Sequence, residues 1–405
     1  MLQSCGSKKN PTAALHSDKE SHVLLVSFDG MGHDYAERFE LQNFQKMATE
    51  GASTSYMIPS FPSKSFPNHY SIITGMYTGN HGLVDNNFLD KQRNSYYSAY
   101  NTIIKDPYYY KGTPLWQWLQ TQGMKTASLH WIGSESPIKG QYPTYFTQYD
   151  EQMPNDKRID KIIEWLSLPA KDRPQFVSAY FSIIDDEGHL TGANSPQMRK
   201  ANKEADRLLG VLLEKVKTLN IPVNVIVVSD HGILDMDSSK DIFVDLENIT
   251  TKLEDKAVII NNGMQTHLYF NNPLEIEASV KMLKENLPSQ IKVYRKRDIP
   301  SRWHYKQSDR IGDVLLVADA PYYMITNKNH PVTKNPEIWG THGYDPYTTP
   351  EMRASFYAVG PNIKVGYTVE PFENVNVFPL ITRLLGVGNP LDIDGKDSVL
   401  APIVK

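Results

Sequence analysis

Two stretches of this chain are apolar almost from end to end and then stop at an acid. His22–Phe28 (HVLLVSF) runs into Asp29-Gly30, and Val223–Val228 (VNVIVV) runs into Ser229-Asp230-His231-Gly232. A strand with one wet face alternates apolar and polar residues. A near-continuous run of this length, rich in β-branched residues, needs cover on both faces. A third such stretch is 175–183 (QFVSAYFSI). Between them lie amphipathic segments at 39–50, stopped by Gly51, at 114–122, and at 196–218, where Leu208, Leu209, Leu212, Leu213 and Val216 recur at helical spacing. Strands alternating with helices predict an α/β fold, a mostly parallel sheet with helices on both faces. Ligands of such sheets bind outside the carboxyl ends of the strands, so Asp29 and Asp230 are expected at one rim.

The 405 residues exceed one small core and fit a large α/β domain with an insertion. Residues 235–330 are less regular, with a helix expected at 274–286 and a strand at 313–319. We read 235–330 as an inserted subdomain, 22–234 and 331–405 as the core, and 1–21 as an N-terminal tail or tether. Apolar residues make up 40% and charged residues 22%, an ordinary globular balance. The net charge of −4, with no basic stripe, gives no face for nucleic acid. No window of about 18 apolar residues predicts a membrane-spanning helix.

The one cysteine, Cys5, excludes an internal disulfide and a thiolate metal cluster. Any metal is therefore held by His, Asp, Glu or hydroxyl groups. Residues 2–7 (LQSCGS) look like the end of a bacterial lipoprotein signal, followed by a polar spacer, although the apolar core of a signal peptide is missing. The expectation is a periplasmic or cell-envelope protein whose membrane contact is a lipidated Cys5; the alternative is an ordinary tail.

Four polar clusters fall at or near the ends of predicted elements: Asp29; Asp185 with His189; Asp230 with His231; and His342. Three carboxylates and three imidazoles suit two divalent ions of the zinc type. Taken singly, each has a plainer reading, a turn-forming Asp or a satisfied core His. In 64–75 (KSFPNHYSIITG), Pro67 fits the first turn of a helix and sets Ser65 at its N-terminus, where free N–H groups and the macrodipole favour an anion. From this pattern alone Ser65 is either a nucleophile facing a phosphate or a simple N-cap.

With these pieces in order, the chain resembles the nucleotide pyrophosphatase/phosphodiesterase family of the alkaline phosphatase superfamily. The matching segments are VSFDG (26–30), KSFPNHYSIITGMY (64–77), HGLVDN (81–86), WIGSE (131–135), DDEGHLTG (185–192), VVSDHG (227–232) and THGYD (341–345). The resemblance implies one zinc on Asp185, His189 and His342, and a second on Asp29, Asp230 and His231 with Ser65 facing it; Mn²⁺ or another divalent ion is the alternative. It also implies catalytic roles for Ser65 as nucleophile and for Asn86, which would bond a phosphate oxygen together with the Phe66 N–H. Phe66 and Tyr149 would sandwich a nucleobase, with Trp131 and Glu135 as pocket walls. Most members carry threonine where this chain has Ser65, which keeps the hydroxyl. The implied partner is a small phosphodiester or nucleotide, and the implied reaction is hydrolysis through a seryl-phosphoryl ester. The alternatives are a choline-type glycerophosphodiester or lysophospholipid diesterase and a phosphate monoesterase on the same scaffold. A catalytically dead binding protein would have lost one of the six ligands, and none is lost.

Overall fold

A computed structural model describes residues 21–405. Cys5 and the tail 1–20 lie outside the described residues. Ser21 is described, and its hydroxyl is tied to Asn224 and Asn362. The chain runs through strand β1 (His22–Phe28), helix α1 (Gln42–Glu50), strand β2 (Ala52–Thr54), helices α2 (Ser65–Thr74) and α3 (Leu115–Thr121), and strands β3 (Thr126–Leu129) and β4 (Tyr145–Thr147). Helix α4 (Asn155–Leu166), strand β5 (Phe176–Phe181), helices α5 (Ile183–Thr191) and α6 (Pro196–Lys217), and strand β6 (Val223–Val228) follow. Next come β7 (Ala257–Asn261), β8 (Gln265–Phe270), helix α7 (Ile276–Asn286), β9 (Ile291–Arg295) and β10 (Val314–Ala318). The chain closes with β11 (Phe356–Val359), β12 (Tyr367–Val369) and helix α8 (Val377–Leu384).

The large sheet has the order β12-β2-β11-β6-β1-β5-β3-β4. β1 lies between β5 and β6 and is parallel to both; β3 is parallel to β5 and β4, and β12 to β2. β11 alone runs antiparallel to its neighbours. The fold is thus α/β with a mostly parallel sheet. The apolar runs are covered on both faces, and the pleat sorts them. Val23 and Leu25 face one core with α2, α3 and α8, while Leu24, Val26 and Phe28 face the other with α1, α4 and α6.

Residues 257–318 carry the separate antiparallel sheet β7-β8-β10-β9, which buries its own apolar cluster beneath α7. Just before it, residues Leu234–Asp237 pair antiparallel with Ile338–Thr341, Leu234 opposite Thr341. That ladder returns the chain beside Asp230 and His231.

Two local readings need correction. The third apolar run does not continue to residue 183: β5 ends at Phe181, and α5 starts two residues later. α4, whose Ile159, Ile162 and Trp165 pack into the second core, was not foreseen as a helix.

Candidate active site

Asp29 follows β1, Asp230 follows β6, and Asp185 lies in the first turn of α5 just beyond β5. Three adjacent parallel strands therefore deliver three carboxylates to one rim. Gly30 lets them close up: its φ is +75°, and a Cβ there would stand 3.0 Å from the Asp185 Cα, so a side chain would clash as well as strain the backbone. His189 is one helical turn after Asp185, with Nε2 3.4 Å from Oδ2. The Leu234–Thr341 register brings His342 over His231, the two rings stacked at 3.5 Å. Ligand atoms of Asp185, His189 and His342 lie within 4.8 Å of one another, as do those of Asp29, Asp185 and His231.

Each of the three imidazoles has one nitrogen against a carbonyl, which can only accept. His189 Nδ1 donates to Gly340 O (2.9 Å), His342 Nδ1 to Ser63 O (2.8 Å) and His231 Nδ1 to Gly232 O (3.2 Å). In the neutral rings each Nε2 is then a bare lone pair turned toward the carboxylates. Main-chain partners of this kind orient metal-binding histidines. His189 and His342 point these nitrogens at each other across 3.2 Å. Asp29 Oδ1 and Asp185 Oδ1 are buried without a hydrogen-bond donor. Burial raises the Asp29 carboxyl well above the ordinary range, and the Asp230 and Asp185 charges raise it further. Burial opposes charging His231 too, but Asp230, with an oxygen 2.8 Å from Nε2, outweighs it and lifts the imidazole. Burial, His231 and His189 push His342 well below its ordinary value. Crowded acids, orphaned oxygens and converging lone pairs fit cations, and an oxygen–nitrogen donor set fits zinc.

His69 also borders Asp230, with Nδ1 3.4 Å from Oδ2. Its Nδ1–H goes to the Ser65 carbonyl (2.9 Å), and its Nε2 takes the Ser27 hydroxyl (2.8 Å). Both nitrogens are committed, so His69 braces the start of α2 and leaves no lone pair for a ligand.

Ser65 is the first residue of α2, and the N-cap position belongs to Lys64. The Ser65 hydroxyl makes no capping bond; it faces His231 Nε2 at 3.1 Å. The plain capping role is thereby excluded. Asn86 Oδ1 accepts the Phe66 N–H at 3.4 Å, which leaves the Asn86 amide hydrogens for another acceptor. Beside Ser65 opens a cavity whose walls include Phe66, Tyr100, Trp131, Tyr149 and Tyr180. Trp131 is fully buried, held by its indole N–H on the His69 carbonyl (3.2 Å). Tyr149 is half-exposed, and Glu135 accepts its main-chain N–H while pairing with Lys105 (3.1 Å).

A family model described as type I phosphodiesterase/nucleotide pyrophosphatase matches residues 23–345. The chain belongs to this family. An uncharacterized pyrophosphatase/phosphodiesterase of Schizosaccharomyces pombe is 34% identical over 375 residues, covering 90% of this chain and 77% of the relative. A venom phosphodiesterase of Crotalus durissus collilineatus is 33% identical, covering 96% of this chain and 47% of the relative. The Rattus norvegicus ectonucleotide pyrophosphatase/phosphodiesterase family member 3 is 32% identical, covering 100% and 46%. The chain thus spans less than half of the venom and rat relatives. Among solved structures, murine ectonucleotide pyrophosphatase/phosphodiesterase 5, as an inactive variant in complex with AMP, superposes with a TM-score of 0.87 at 29% identity, covering 95% of this chain and 100% of that one. The likeness carries the fold class with it: this phosphodiesterase-family chain has the alkaline phosphatase-like architecture that its motifs imply.

Within the family site, sequence reasoning missed several residues. Tyr180 donates to Asp29 Oδ2 (2.7 Å) from inside β5, where it reads as one more strand aromatic. Tyr100, 80% exposed at the cavity mouth, carries no local signal. His130 stands at φ +61° in the cavity wall, edge-on to the Tyr149 ring, and burial pushes it down to about 4, so it is neutral near pH 7. The signal for His69 was available: it lies four residues after Ser65, on the same helical face.

Proposed function

We propose that the chain is a two-metal phosphodiesterase and nucleotide pyrophosphatase that works through a phosphoryl ester on Ser65. The observation that carries this reading is the Ser65 hydroxyl at a helix N-terminus, uncommitted to capping, between a carboxylate–imidazole cluster and an aromatic cavity. Asp185, His189 and His342 would hold one divalent ion, and Asp29, Asp230 and His231, with Ser65, the other. When bound, such ions supply a lowered pKa at the nucleophile and neutralisation of charge on the departing oxygen.

The chain's own residues do the rest. The Ser65 hydroxyl releases its proton to solvent water and its oxygen attacks phosphorus, and the bond to the departing oxygen breaks with the electron pair staying on that oxygen. The α2 N-terminus and the Asn86 amide hold the phosphate oxygens through the displacement. Water then attacks phosphorus from the side the departing oxygen vacated, the P–O bond to Ser65 breaks, and the Ser65 oxygen takes up a proton from that water, for net retention at phosphorus. Phe66 and Tyr149 offer faces for a flat group, worth about 1–3 kcal/mol per stacked base and indifferent to which base. The AMP held by the murine neighbour supports a nucleoside monophosphate half.

The choline-type alternative needs an aromatic cage or carboxylates around a cation. Glu135 lines the cavity, yet it is engaged by Lys105 and the Tyr149 N–H, so it offers a cation no free carboxylate; the aromatic walls suit either ligand, and the AMP of the murine neighbour supports the nucleotide reading. Export, with Cys5 as a lipid anchor, and the division of the chain at 234/235 and 330/331 belong to the same proposal. The test is a comparison of rates on a nucleoside 5′-monophosphate nitrophenyl ester, nitrophenyl phosphate and nitrophenyl phosphocholine. We expect the first to be fastest. A faster monoester or phosphocholine ester would replace this reading with the corresponding alternative.

A further inference from the structure

One charged group at the site has no partner. Lys64, the residue before the nucleophile, is 9% exposed, and its Nζ makes no hydrogen bond or ion pair among the described residues. Asp85 and Asp185 act on it through space without touching it. Burial works against the charge on this amine, the two acids only partly offset it from beyond ion-pair distance, and the Nζ–H groups are open to an anion brought by the substrate.

The direction of the side chain is fixed by what it covers. Lys64 lies across Gly343, where a Cβ would stand 2.5 Å from its Cε and 3.0 Å from its Nζ. Gly343 follows His342, and the His342 ring feels the Lys64 charge. The amine therefore sits on the Asp185–His189–His342 side of the site. The aromatic cavity is lined by Ser65 and Phe66 but not by Lys64. A phosphate on Ser65 with its flat half in that cavity would direct its remaining substituent toward the amine.

We infer that Lys64 is a specificity-determining residue that holds the departing phosphate of pyrophosphate-type substrates. This rests on the function proposed above. As Ser65 Oγ bonds to phosphorus, the bond to the bridging oxygen breaks and its electron pair stays on that oxygen. A departing phosphate is stable as an anion and takes no proton from the amine; Nζ–H groups donate to its oxygens. An ammonium offers three donors, and bonds between charged partners are the strong ones. A departing phenolate presents a single oxygen and one charge, so the amine adds little there. Lys64 would thus tilt the enzyme toward pyrophosphate bonds over aryl diesters of the same nucleotide.

The experiment uses Lys64→Met, which keeps the stem and removes the amine, and Lys64→Arg, which restores a cation. Both are assayed on a nucleoside triphosphate and on the nitrophenyl ester of the same nucleoside 5′-monophosphate. Lys64→Met should lower kcat/KM about thirtyfold or more on the triphosphate and less than about threefold on the nitrophenyl ester, with Lys64→Arg recovering part of the loss. In the Ser65→Ala background, calorimetry should find that Lys64→Met erases most of the affinity advantage of a non-hydrolysable triphosphate analogue over the monophosphate. Equal losses on both substrates, or an unchanged affinity advantage, would overturn the inference. A wild-type protein that cleaves neither substrate would instead defeat the proposed function, and the binding measurement would still decide the role of Lys64.

Discussion

Lys64 and Ser65 divide the start of α2 between them: Lys64 occupies the capping position without capping, and Ser65 is left to turn its hydroxyl to His231. Ser65→Ala should reduce turnover by about a thousandfold or more with metal content unchanged, and Ser65→Thr should keep substantial activity. Near-wild-type turnover of Ser65→Ala would mean that water attacks directly. Tyr149→Ala should lower kcat/KM for a nucleotide diester about tenfold, the loss of one stacking face, while sparing bis-nitrophenyl phosphate. Equal losses on both would show that Tyr149 braces its loop and does not meet the base. Asp29 and Asp230 stood out in the sequence because each ends an apolar run, whereas Asp185, His189 and His342 were singled out as a set by the ordered motifs of the family resemblance. Lys64 and His130 were not, because a lone cation or imidazole in a mixed segment looks the same whether or not its partner is missing.

At the scale of elements, the separate sheet is bolted to the cavity-forming segment by Arg310. Its guanidinium is 2% exposed, binds Asp90 Oδ2 (2.9 Å), and reaches the carbonyls of Gly82, Tyr108 and Tyr109. Removing one partner of a buried, fully bonded pair costs about 3–5 kcal/mol. Arg310→Ala should therefore lower the free energy of unfolding by about that amount in urea titrations, and should raise KM through loosening of residues 99–110. A loss below about 1 kcal/mol would show that the joint holds without it. The central strands were legible from their lack of alternation. The reversal of β11 was not, since direction within a sheet depends on where distant chain returns. α5 was hidden because its first residues, Ile183 and Ile184, extend the apolar pattern of β5.

For the molecule as a whole, the rim carries charge that the bare polypeptide holds at a cost. Asp29, Asp185 and Asp230 crowd together, and Asp29 resists ionisation through burial and through its two neighbours. Cations that bind only the folded chain would offset this, by about 4 kcal/mol at a thousand times the dissociation constant. Exhaustive chelation should lower Tm by several degrees and abolish activity, with both restored by zinc. A Tm unmoved by chelation would argue that the acids are held by protons alone.

The three carboxylates hang from neighbouring strands at the middle of the large sheet, whereas Tyr149 follows β4, the last strand at one margin. A central strand is clamped on both sides, so a change there propagates into two cores; a three-residue margin strand is clamped on one. Under the proposed function, the reacting groups and the outer stacking face of Tyr149 are therefore mounted on parts of unequal tolerance. Segment 139–154 is where exchange with another sequence should retune which compound is accepted while leaving the reaction itself alone. For a laboratory lineage evolved toward new substrates, this predicts accumulation of accepted changes along that margin.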